Sequence, residues 1–176
     1  MIRDVLQLGN PLLRQPSAPV ADPGSPEVAA ILVDLRDTLA HWRSTTGYGR
    51  GIAAPQIGVL QRIVFMNLDQ HSPWPLINPE IVARGNDTAV VWDACLCFLM
   101  IFCQVTRHRA ITVRYQDTAG TWHHLDAEGD LAELLQHEID HLDGILAIDR
   151  ITDLRTICTR EEFERRYRDQ TVYNQA

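Results

Sequence analysis

The residues of this chain best suited to chemistry are His137, Glu138 and His141, within Gln136-His137-Glu138-Ile139-Asp140-His141-Leu142-Asp143-Gly144. Two histidines four apart lie one above the other on a helix, so both imidazoles can reach a single metal ion. Glu138, between them, can reach a water held by that ion. This is a hydrolytic site in outline, and it needs a third protein ligand. A histidine six residues after the second would serve, but position 147 is alanine. The candidates that remain are the cysteines upstream and Glu161 and Glu162 downstream.

Several elements must hold this helix in place. From about Asp130, Leu131, Leu134, Leu135, Ile139 and Leu142 form an apolar face and Asp130, Glu133, Gln136, Asp140 and Asp143 a wet one, with Gly144 as the stop. Ser25-Pro26-Glu27 reads as an N-cap, first helical position and first-turn acid. The helix that follows shows Val28, Ile31, Leu32, Leu35, Leu39 and Trp42 at helical spacing and ends before Gly47. The stretch from Gly47 to Gly58 is rich in small residues that let a backbone approach another surface, and it lacks the Gly-Lys-Ser/Thr ending of a phosphate loop. Gln56 there is either a turn residue or an amide donor aimed into a site. Strands are expected at Ile63 to Asn67, around Leu76 to Val82 and at Ala89 to Trp92. A hairpin follows, from Ile111 to Tyr115, through the turn Asp117-Thr118-Ala119-Gly120, to Thr121 to Leu125. Thr159, with Glu162 three residues on, reads as a capping box for a charged last helix.

Composition narrows the function classes. At 176 residues, 45% apolar, the chain is expected to form one domain, residues 1–176. A net charge of -7 without any basic run argues against nucleic acid as partner. No segment approaches the length of a membrane span and the amino terminus lacks a signal-peptide core, so a cytoplasmic protein is expected. In that compartment four cysteines are expected as reduced thiols or metal ligands.

Three stretches together resemble the peptide deformylases along most of the chain. The family's Gly-x-Gly-x-Ala-Ala-Pro-Gln is matched from Gly49 to Gln56, and its Gln-His-Glu-x-Asp-His-Leu-x-Gly from Gln136 to Gly144. Its Glu-Gly-Cys-Leu-Ser is matched in part by Asp93-Ala94-Cys95-Leu96-Cys97. The resemblance implies an α+β fold with a mixed, largely antiparallel sheet around a central metal-binding helix. It implies Cys95, His137 and His141 as ligands of one divalent metal ion, Fe2+ first and Zn2+ or Ni2+ as substitutes. It also implies Glu138 as proton shuttle, the Gln56 amide and Leu96 backbone N–H as donors to the oxyanion, and Gly49 and Gly51 as substrate-binding. The reaction implied is hydrolysis of the formyl group from the N-terminal methionine of new polypeptides.

The departures shape the alternatives. Asp93 shortens the family's Glu, a carboxylate that supports the fold through Arg107; Ala94 replaces Gly and Cys97 replaces Ser. The loop after the cysteine, where the family carries a substrate-holding arginine, is here Phe98 to Phe102 without a charge. This favours, as runner-up, an amidase acting on another small N-acyl substrate. A metal-stabilised interaction module is the non-enzymatic alternative. The uncharged stretch Ala94 to Cys103 reads first as a strand buried in the monomer. Otherwise it packs over the site or meets a second copy in a homodimer.

Overall fold

The structure, a computed structural model, describes residues 1–68 and 73–170. Helix α1 runs Pro26–Thr46, between the cap on which Ser25 Oγ accepts from Val28 N and Gly47 in the left-handed conformation, the bounds its sequence predicts. It buries Val28, Ile31, Leu35 and Leu39. The chain continues through β1 (Gly51–Ala53), a 3-10 turn at Ala54–Ile57, β2 (Ile63–Asn67), β3 (Pro73–Arg84) and β4 (Thr88–Ala94). After a second 3-10 turn at Leu96–Phe98 come β5 (Ile101–His108), β6 (Ala110–Gln116), β7 (Trp122–Glu128) and α2 (Gly129–Leu142). The short β8 (Cys158–Thr159) leads into α3 (Arg160–Arg166).

Two sheets result, one in the order β1-β2-β3-β6-β7 and one in the order β4-β5-β8. Every strand pair among the described residues is antiparallel, and the parallel contact is an isolated bridge between Ala18 and Gln61. The expected strand around Leu76 to Val82 is the middle of β3. Its register against β6 shifts between Ile77 and Glu80, where Asn78 takes φ 51° and Pro79 offers no N–H to the ladder. The fold is α+β, as the resemblance implies.

Helix α2 lies between these sheets. Leu134, Leu135, Ile139 and Leu142 pack with Val64, Met66, Leu76, Ile111 and Val113 of the five-stranded sheet. Its other faces meet β1, β5 and the Ala54–Ile57 turn. The expected wet face is therefore only partly wet: Asp130 and Asp143 are exposed, but Glu133, Gln136 and Asp140 are 5%, 5% and 7% exposed. Each is paired, which is what makes its burial tolerable. Glu133 accepts from Arg50, and Asp140 from Arg107 at 2.5 Å and Arg150 at 2.7 Å. Gln136 exchanges hydrogen bonds with both backbone groups of His108, at 3.0 and 2.9 Å, pinning α2 to the end of β5. Gly144 ends the region at φ 74°, where a Cβ would stand 2.7 Å from the carbonyl oxygen of Arg14.

The stretch Ala94 to Cys103 is not one strand. It bends through the 3-10 turn at Leu96–Phe98 before β5 begins, which puts Cys97 on a turn rather than on an extended strand beside Cys95. Cys95 to Phe98, Phe102 and Cys103 are buried within the chain, and Met100 is the segment's one exposed large apolar side chain.

Candidate metal centre

Strand β4 delivers Asp93 and, just past its end, Cys95; one turn of α2 separates His137 from His141. The ligand atoms of Cys95, His137 and His141 lie within 4.8 Å of one another, all buried. Cys95 Sγ is 3.2 Å from His141 Nε2. His137 is oriented from behind: its Nδ1 is 2.9 Å from Asp93 Oδ1, which leaves Nε2 as the atom free to ligate. The other Asp93 oxygen accepts from Arg107 at 3.0 Å, and Arg107 also holds Asp140. The anticipated Asp93–Arg107 pair is thus one link in a buried chain from His137 to Asp140.

These contacts set the electrostatics. Burial opposes ionisation of Asp93, but His137 and Arg107 beside it overcome that and hold its carboxyl below the usual range. Burial likewise opposes a charge on His137, and Asp93 outweighs it, raising its pKa to about 9. The field that draws a proton to this imidazole draws a metal cation to Nε2 equally well. Burial lowers the His141 pKa, which keeps that imidazole neutral and ready to ligate, and raises that of the Cys95 thiol, which a cation beside it would bring down.

Glu138 is 3% exposed, and its Oε2 has no hydrogen-bond partner among the described residues. Burial raises its pKa to about 7. It fits only because residue 51 is glycine, where a Cβ would stand 2.5 Å from Glu138 Oε1. Gln56 plays both parts its position suggests: Oε1 accepts from Ala53 N at 2.8 Å, shaping the turn, while Nε2 points to the sulfurs of Cys95 at 3.6 Å and Cys97 at 3.5 Å. A soft thiolate, two imidazoles and an orphaned carboxylate oxygen form a donor set suited to a divalent transition metal. Glu161 and Glu162 stand apart on α3, where Glu162 pairs with Arg165 and Arg166. Thr159 Oγ1 accepts from Glu162 N, so only half of the expected capping box forms.

The site opens into a cavity of about 550 Å³ lined by Gly49, Gly51, Gln56, Cys95, Leu96, His137 and Glu138. Sequence reasoning missed one of its two side walls and reached the other only through the alternative that the Ala94 to Cys103 stretch packs over the site, where Leu99 and Phe102 do line the cavity. One is ionic, Arg50 with Asp130 and Glu133; the other is aromatic, with Tyr48, Trp92, Phe102 and Phe163. Phe102 stacks on Phe163 with ring centroids 4.1 Å apart, and Tyr48 meets it edge-on at 5.6 Å. An arginine inside a glycine-rich loop is a local signal for the first wall. The second joins residues from the loop after α1, from β4, from β5 and from α3, and has none.

Comparison with known proteins agrees with this geometry. The family model described as polypeptide deformylase matches residues 2–156. The peptide deformylase of Thermotoga maritima is 35% identical over 154 residues, covering 88% of this chain and 90% of that protein. Peptide deformylase 2 of Clostridium perfringens is 36% identical over 154 residues, 87% of this chain and 95% of its own. The crystal structure of the Thermotoga maritima enzyme superposes with a TM-score of 0.80, covering 87% of this chain and 99% of that one. With Cys95, just past the end of β4, gathered with His137 and His141 of α2 within the matched motifs, the chain belongs to the polypeptide deformylase family.

Proposed function

We propose that Cys95, His137 and His141 hold the single divalent ion of this hydrolase while it removes the formyl group from formyl-methionyl polypeptides. The observation that carries the assignment is the buried Cys-His-His cluster, of which Cys95 and His137 line one cavity together with Glu138, whose Oε2 has no hydrogen-bond partner among the described residues. Ferrous iron is our first choice of ion, and zinc or nickel suits the same sulfur and nitrogen donors. When bound, the ion supplies a Lewis acid that polarises a carbonyl and lowers the pKa of a water.

The chain's own residues do the rest. Glu138 takes a proton from the attacking water as its oxygen bonds to the formyl carbon, and passes one to the nitrogen as the C–N bond breaks, giving formate and a free amine. A pKa near 7 suits a group that must both accept and donate. The Gln56 amide and the Leu96 N–H, at the open start of a 3-10 turn, donate to the oxygen that gains charge. Gly49 and Gly51 line the path of the substrate backbone. The substrate is a formylated nascent chain, met in the cytoplasm; no helix among the described residues is long and apolar enough to cross a membrane. A homodimer through Ala94 to Cys103 would have Met100 as its one exposed large apolar contact from that segment.

Anaerobic purification, metal analysis and formate release on one sample test this. One ion per chain with metal-dependent formate production is expected; full occupancy without formate overturns it. One observation favours a second reading, action on another N-acyl group: Phe102 and Phe163 occupy the mouth where the family's loop carries an arginine. Turnover of acetyl peptides above formyl ones would select it.

A further inference from the structure

The cavity wall next to the proposed ligands is charged, and that bears on what the site accepts. Asp130, Glu133 and His137 stand at i, i+3 and i+7 on α2, so they share one face, and all three line the cavity. At 1.5 Å per residue, Glu133 lies about 6 Å along the helix axis from His137, and Asp130 about 10 Å. Facing them is Arg50, adjacent to the Gly51 that admits Glu138. Its NH1 donates to Asp130 and its NH2 to Glu133 Oε2 at 3.2 Å. Two carboxyl groups thus share one guanidinium, one exposed at Asp130 and one buried at Glu133, where burial disfavours the ionised form and a cation brought beside it would favour that form.

Such a wall is a poor seat for an apolar side chain. Covering the exposed Asp130 carboxylate with methylenes removes its water and supplies no donor in exchange, and the buried Glu133 has only Arg50 as donor among the described contacts. It is a good seat for a group with N–H donors, because a carboxylate offers about four acceptor sites and the contact with Arg50 uses one oxygen of each. The side chain of the formylated residue leaves the backbone one atom from the scissile nitrogen. A four-carbon side chain there, roughly 5–6 Å long by ordinary bond lengths, is long enough to carry a terminal ammonium as far along α2 as Glu133.

We infer that the site takes N-formyl compounds with a cationic side chain beside the formyl amide at least as readily as methionyl ones. This rests on the deformylase reading and adds a substrate class to it. The ammonium would donate to the acceptor oxygens that the single contacts with Arg50 leave over on Asp130 and Glu133.

The decisive comparison is kcat/KM of the metal-loaded protein for formyl-lysyl, formyl-norleucyl and formyl-methionyl tripeptides. Norleucine keeps the lysine carbon chain and lacks the ammonium. Lysyl should exceed norleucyl by about tenfold at low ionic strength, the size of one charge-assisted hydrogen bond. The ratio should shrink as salt screens the pair. Asp130→Asn, at an exposed position that spares the fold, should reduce the ratio, and Glu133→Gln should reduce it further. Binding of the same peptides to Glu138→Gln protein, which does not turn them over, should follow the same order. Formate from norleucyl and methionyl but not lysyl peptides overturns this inference alone, as does a ratio unmoved by either substitution. Formate from none of the three overturns the deformylase reading and this inference with it.

Discussion

At the inner end of the cavity Asp93 joins His137 to Arg107, and Arg107 joins Asp93 to Asp140, by directed contacts of 2.5 to 3.0 Å. At the mouth Phe102 lies flat on Phe163, and Trp92 stacks on Tyr167 at 4.8 Å, by contact alone. The same two strands build both: β4 supplies Asp93 to one and Trp92 to the other, β5 supplies Arg107 and Phe102. Charges buried together depend on every partner, since removing one leaves another unpaired in a low dielectric. Packed rings have no such dependence, and a neighbour of similar size can take over their contacts. The inner end should therefore fail abruptly under substitution and the mouth gradually.

The largest effect should come from Glu138→Gln, which keeps the shape and the ligands but removes the proton acceptor. Hydrolysis should fall roughly a thousandfold or more, within the range for general acid–base groups. Metal content should not change. Loss of the ion in parallel with activity would mean that Glu138 holds the site together instead. Next is Arg107→Met, which takes a shared partner from two buried carboxylates and leaves Asp93 with His137 alone and Asp140 with Arg150 alone. A loss of about 3–5 kcal/mol in denaturant unfolding is expected. A loss under about 1 kcal/mol, an ordinary surface effect, would remove the contrast between the two ends.

The metal-free protein should report the inner end through pH. His137 has its pKa raised from 6.5 to about 9, so the native state binds the extra proton between those values. That contribution is fully present below pH 6.5 and is lost as pH rises through 9, on the order of 3 kcal/mol in all. Glu133 and Glu138, raised by burial from 4.5 to about 7, act in the same direction over a lower window. His141, lowered well below 6.5, opposes them beneath that pH, so the decline should be clearest from about pH 6.5 to 9, and Asp93→Asn should flatten it. A flat profile in the parent protein would mean that the Asp93–His137 contact carries no charge.

Much of the inner end was legible because its geometry is local. His137 and His141 share a helix face by spacing alone, and the start and stop of α1 follow from Ser25, Pro26 and Gly47. The burial of Glu133, Gln136 and Asp140 was not legible. Periodicity reads residue type, and what makes these side chains tolerable inside are partners outside the helix: Arg50 is 83 residues from Glu133 and Arg107 is 33 from Asp140. The mouth was illegible for the same reason in stronger form. Nothing near Phe102 in sequence announces that α3 will return to cover it.

Cys95 and Cys97 sharpen the boundary between the regions, since both sulfurs lie near Gln56 Nε2 while only Cys95 meets His141. Cys95→Ser should weaken metal binding by at least about a hundredfold, the upper range for disturbing even a partner of a ligand. Cys97→Ser should leave it within a small factor. Equal losses by equilibrium dialysis would show both thiols at the ion.

The smallest effect should follow Phe163→Leu at the mouth. The substitution forfeits the stack on Phe102 and the edge contact with Trp92 at 5.4 Å but keeps most of the apolar volume. The aromatic contribution of such pairs sets the loss at about 1–2 kcal/mol. Helix α3 should stay docked, because Tyr48 donates to Glu164 at 3.0 Å, Arg160 reaches the Thr46 carbonyl at 2.8 Å and the Thr159 cap remains. The inner end should not register the change: metal content and kcat on a formylated amino-acid amide should hold. What should move is KM for longer formyl peptides, falling severalfold as the missing ring widens their way in. An unchanged KM would mean that the aromatic wall does not limit access. A drop in kcat on the smallest substrate would show that rings and charges are mechanically coupled through β4 and β5, and the mouth could no longer be treated as the tolerant end of the cavity.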